Sequence, residues 1–236
     1  MRHATRLILA FALVFALVYA IDAHAAEQKA MQDVDIAALT NETQKATNSD
    51  GVHLAWWIPP EFWAASMAHE KDMSEKARKQ MLDVLNRYSM LAVVQADVGT
   101  VGNFSYYDRA TVTKGLKLEL MTARQTTALK PVEKVPDELD PLLKVMTPLL
   151  ESAMGRLGEN LNFFVFEDQA KGGRVLSPYA QGALRVTLAR KDGSALDPFV
   201  FELPLDSLYV PRHCPNGKPA HVSWVVCPWD GTKLPL

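Results

Sequence analysis

Met90–Val98 reads MLAVVQADV. Side chains alternate across a strand, and here both alternating sets are apolar until Gln95. A strand apolar on both faces has to be covered on both, so this one belongs at the centre of a sheet inside a layered fold.

The neighbouring residues extend that reading. On the N-terminal side, residues 73–88 place Ala77, Met81, Val84, Leu85 and Tyr88 at helical spacing, with Asp72 read as the N-cap and Glu75 completing a capping-box-like pair. On the C-terminal side, the polar stretch Gly99–Asp108 (GTVGNFSYYD) reads as a hairpin connection that also has the tyrosines and glycines of a binding loop. Leu116, Leu118 and Leu120 then alternate with Lys117 and Glu119, as on a strand with one wet face.

The later half repeats the order. Residues 137–157 carry Leu139, Leu142, Leu143, Met146, Leu149, Leu150, Ala153 and Leu157 as one helical stripe, with Pro148 expected to kink it and Gly158 to end it in a left-handed cap. Strands follow at Leu161–Glu167, at Ala183–Arg190 and through Phe199, Phe201, Leu203 and Leu205, with hairpin turns at Gly172–Gly173 and Lys191–Asp192–Gly193. The fold class expected is α+β: mainly antiparallel sheets packed against two principal helices. Residues 51–236 read as a single domain, and an internal duplication into halves 51–130 and 131–236, each α-β-β-β, stays open beside the ordinary habit of antiparallel α+β folds.

Ahead of this domain, residues 26–50 are polar, with Val34, Ala37 and Ala38 able to form one short helical face. The first 25 residues read as an export signal. Arg2 and Arg6 precede an uncharged apolar run over residues 7–21, and Ala23-His24-Ala25 supplies small residues at the −3 and −1 positions of a cleavage site. The run is shorter than the roughly 20 residues a spanning helix needs. An exported protein of the periplasm or the extracellular space is the expectation. The whole chain carries a net charge of −2, and loss of Arg2, Arg6 and Asp22 moves it to about −3. Such a protein has no electrostatic reason to seek nucleic acid or anionic lipid. No second apolar stretch is long enough to span a bilayer.

Export also decides how Cys214 and Cys227 are read. They are the only cysteines, and an even number in an exported chain implies a disulfide closing a C-terminal loop. His213, Cys214, His221 and Cys227 are a chemically legitimate zinc set. However, the adjacent His213 and Cys214 point apart on an extended chain, so no metal and no cofactor is expected. Cys214-Pro-Asn-Gly217 and Cys227-Pro-Trp-Asp-Gly231 each resemble a zinc-ribbon knuckle whose second cysteine is absent. The resemblance implies a disulfide holding two turns that a metal holds elsewhere.

The five tryptophans fall in two places, Trp56, Trp57 and Trp63 near the start and Trp224 and Trp229 near the end. Trp56 and Trp57 are consecutive on a predicted strand and face opposite sides, so one is core and the other needs a cover or a ligand. Either the C-terminal loop supplies the cover, or Trp56, Trp57, Trp63 and Trp229 line an aromatic binding cleft. His53, Glu61 and His69 are the catalytic candidates in the same segment, His53 and Glu61 forming an acid–base pair if the Pro59–Pro60 turn folds them together. His69-Glu70 lacks the second histidine of a zincin motif, and there is no P-loop, nucleophile elbow or dinucleotide fingerprint. The expectation is therefore a non-catalytic binding or envelope-assembly domain whose partner is an envelope protein or a small ligand. The alternative is an envelope hydrolase using a His and a carboxylate near the tryptophans.

Overall fold

The computed structural model describes residues 26–48, 51–171 and 173–234. The export signal read over residues 1–25 lies outside them. The first half contains α1 (Ile36–Thr43), β1 (Gln44–Thr47), β2 (Gly51–Ile58), α2 (Pro60–Ala68), α3 (Glu75–Leu85), β3 (Tyr88–Val98), β4 (Phe104–Tyr106), α4 (Arg109–Gly115), β5 (Lys117–Met121) and β6 (Thr126–Leu129). The second contains α5 (Asp140–Ala153), β7 (Asn162–Glu167), β8 (Gln169–Ala170), β9 (Gly173–Arg174), β10 (Gly182–Thr187), β11 (Phe199–Leu203), β12 (Arg212–His213) and β13 (Pro219–Ala220). The class is α+β, with every strand pair antiparallel.

β3 is the centre its sequence demands. It pairs with β2 along one edge and with β7 along the other, while β4 pairs with its far end. The register puts Trp57 opposite Leu91 and Leu91 opposite Phe164, so these side chains share one face with His53, Ala55 and Val93. Trp56, Ile58, Met90 and Val165 share the other. The first face packs on a second sheet of order β11-β10-β5-β6. That sheet turns Leu118, Leu184, Val186, Phe199 and Phe201 inward and Lys117, Glu119, Arg185 and Glu202 outward. Trp57 and Phe201 meet across the layers with ring centroids 6.4 Å apart, and the Gln95 side-chain amide donates to the Ala189 carbonyl at 2.9 Å.

Helices cover the opposite face. Phe62 of α2 stands edge-on to Trp56 with centroids 5.3 Å apart. The Tyr88 hydroxyl donates to Glu138 at 2.7 Å, tying the start of β3 to the approach of α5. One connected core of buried residues runs through both sheets and the helix layer. Each sheet draws strands from both sequence halves: β7 joins β1–β4, and β5–β6 join β10–β11.

Three local details differ from the sequence reading. Ser74, not Asp72, caps α3, its hydroxyl accepting from the Ala77 amide at 3.2 Å. α5 continues through Pro148. The left-handed glycine beyond it is Gly155, at φ 58°, whereas Gly158 lies against α5 so closely that a Cβ there would stand 2.0 Å from the Glu151 carbonyl oxygen.

The C-terminal segment forms a separate small cluster. Cys214 and Cys227 are joined by a disulfide and buried with Ala220 and Leu234. Its two turns match. The Cys214 amide donates to the Lys218 carbonyl and Gly217 donates back to Cys214, while Cys227 donates to Thr232 and Gly231 back to Cys227. Gly217 and Gly231 both have φ near the left-handed region, at 80° and 75°. This is the pair of knuckle-like turns that the two Cys-Pro sequences resemble.

Candidate binding groove

The catalytic candidates are drawn apart by the register. His53 shares the Trp57 face and is fully buried between the sheets, where burial holds its imidazole below the usual range against an opposing pull from Asp97. Glu61 opens α2 on the helix side, and His69 sits exposed at the other end of that helix. The Pro59–Pro60 turn leads straight into α2, and no contact joins Glu61 to His53 among the described residues.

Glu61 has another partner. One oxygen accepts from the Arg174 guanidinium at 2.5 Å, and Arg174 also donates to the fully buried Asp168 through Nε at 3.0 Å. Asp168 in turn accepts from the Leu176 amide. Two carboxylates thus share one guanidinium away from water. Burial pushes both carboxyls above their ordinary range, with Arg174 opposing the shift in each case. The arrangement fastens α2 to the β8–β9 hairpin. No signal in the sequence paired Glu61 with Arg174, because 113 residues separate them.

The tryptophans divide as well. Phe62 covers Trp56, the second sheet covers Trp57, and the Trp57 indole donates to the Ser89 hydroxyl at 2.7 Å. In the C-terminal loop Trp224 and Trp229 meet each other, centroids 5.6 Å apart, and Trp229 stays 46% exposed. Of the N-terminal three, Trp63 lines an open cavity.

That cavity, of about 540 Å3, lies between α2, α3 and α5. α2 contributes Trp63, Ser66 and Met67, and the connection to α3 contributes Glu70, Asp72 and Met73. Met81 comes from α3, with Val145, Met146 and Leu149 from α5. The walls are held by Arg78. From α3 it donates to the Met67 carbonyl at 3.1 Å and the Glu70 carbonyl at 3.3 Å, closing the C-terminal end of α2 with a positive charge that also pairs with Glu75.

Val145 and Leu149 are 64% and 66% exposed, one helical turn apart on the open side of α5. The Leu139–Leu157 stripe is therefore wider than the core it serves. Leu139, Met146 and Leu150 are buried, whereas Leu149 rotates out beside Val145. Trp63 is itself buried, and its indole N–H has no hydrogen-bond partner among the described residues. A buried indole N–H ordinarily finds an acceptor, and this one is occluded from solvent beside the groove. Chemically, the site offers polarisable thioethers, aliphatic side chains and two rim carboxylates. Of its residues the sequence points to Trp63 as a ligand contact, while Met81, Met146 and Leu149 carry only the periodicity of a helix face. The readable signal was the spacing of Met67, Met73 and Met81 within 15 residues.

No protein-family model, curated protein or solved structure matches the chain.

Proposed function

We propose that this is an exported, non-catalytic binding protein of the cell envelope, and that its partner is a protein segment seating apolar side chains in the groove between α2, α3 and α5. The observation that carries the reading is the exposure of Val145 and Leu149 beside four methionines in one open, apolar cavity. Contiguous apolar surface is costly to leave in water, and methionine-rich surfaces adapt to a partner's side chains. A basic residue of the segment meets Glu70 and Asp72 at the rim. Export agrees with the Cys214–Cys227 disulfide, which persists in oxidising compartments. Among the described residues no helix is long and apolar enough to cross a membrane. The hydrolase alternative has less behind it, since His53, Glu61 and His69 occupy three different environments.

The test is a photo-crosslinking side chain placed at Leu149 in the host's full-length protein. A discrete adduct with one envelope protein is expected, abolished by Val145→Asp and absent when the crosslinker sits at Val200 on the outer face of the second sheet. No adduct at Leu149, or the same adduct at Val200, would overturn the groove as the binding site.

A further inference from the structure

A second cavity, of about 420 Å3, opens on the other side of the molecule where α4 ends, β5 begins and β10 runs into the 189–195 turn. Lys114, Lys117, Arg190 and Lys191 all line it, with the hydroxyl-bearing Thr111 and Thr187, and no carboxylate is among its lining residues. The neighbouring cavities mix signs: one sets Lys45 and Arg190 with Asp197, another sets Lys45 with Glu42 and Glu202. Lys191 is committed, its ammonium donating to the Ser105 hydroxyl at 3.2 Å, 3.5 Å from Asp97 and over the Tyr107 ring. Lys114 and Lys117 have no ion pair among the described residues. Thr187 stands opposite Lys117 in the β5–β10 register, on the outer face of the sheet. A chain with a net charge of −2 thus gathers four cations around one concavity. Asp97 and Asp108 already act on Lys191, and Asp192 on Arg190; the repulsion that a multiply charged anion relieves on entering is that of Lys114 and Lys117.

We infer that this cavity binds a small phosphate-bearing solute, with Lys114 and Lys117 supplying the charge and the Thr187 hydroxyl a directed hydrogen bond. Lysine ammoniums serve as point charges for phosphate, and the volume suits a small molecule. The inference is independent of the groove, which lies among α2, α3 and α5.

Calorimetric titration of the folded chain with inorganic pyrophosphate is the test, with sulfate and chloride as comparison anions. Pyrophosphate is expected to bind saturably and to displace sulfate. Its affinity should drop at least about tenfold in Lys114→Ala/Lys117→Ala, and should weaken as added salt screens the exposed lysines. Lys45→Ala, outside the cavity, should retain the affinity, as should the groove variant Val145→Asp. Unchanged affinity in the double lysine variant, or chloride competing as well as sulfate, would overturn the site.

Discussion

The two tryptophan groups show how one residue type stabilises in two different ways. Trp57 is 1% exposed, wedged between sheets and hydrogen-bonded to Ser89. Trp229 is 46% exposed on a loop whose own buried cluster is only Cys214, Ala220, Cys227 and Leu234. Where two sheets and a helix layer enclose a side chain, burial does the stabilising. Where the chain is too short to enclose anything, a covalent bridge and two glycine turns replace the core.

The sharpest break in that comparison is truncation. Trp57→Ala removes a large side chain from the contact between the layers and strands the Ser89 hydroxyl, and is expected to cost about 3–5 kcal/mol in urea unfolding. Trp229→Ala is expected to change stability by under about 0.5 kcal/mol. Comparable losses at the two positions would mean that the C-terminal loop is part of the main core.

The next effect concerns the bridge. The disulfide spans a sequence separation of 13, and releasing a loop of that size costs about 3 kcal/mol in the chain-entropy account. In Cys214→Ser/Cys227→Ser, hydrogen exchange should rise through residues 212–234 while the amides of β2, β3 and β7 keep their protection. Loss of protection in β3 at the same time would join the two regions into one cooperative unit.

The smallest effect is a pH dependence within the main region. Glu61 and Asp168 share Arg174, and burial raises both carboxyls. A carboxyl with a raised folded-state value binds its proton more tightly when folded. Its contribution is fully present below the unfolded value of about 4.3 and is lost as pH rises through the folded value. The stability of the native chain relative to Glu61→Gln should therefore grow as pH falls from 8 and level off below about 4. A pH-independent difference in urea midpoint would remove Glu61 from the titrating group.

These effects sort what was readable in advance. The apolar run at 90–98, the alternation at 116–120 and the stripe at 139–150 were legible because strand and helix periodicity express local geometry. The groove was half legible: the methionine spacing was visible, but Met81 and Leu149 carry the same apolar signature as core residues. Only the packing of α2, α3 and α5 around one cavity leaves them at an open edge. Glu61 read as a catalytic candidate by its place near histidines, yet its partner comes from a hairpin far along the chain.

By itself the sequence determined the α+β class, the central strand and the pairing of the cysteines, since each follows from side-chain periodicity or from there being only two thiols. Tertiary structure alone decided that His53 is buried while Glu61 pairs with Arg174, and that Trp63 lines a cavity between helices. It also decided that four cations meet around one cavity. Those outcomes depend on strand register and on long-range packing, and neither leaves a mark in local residue order.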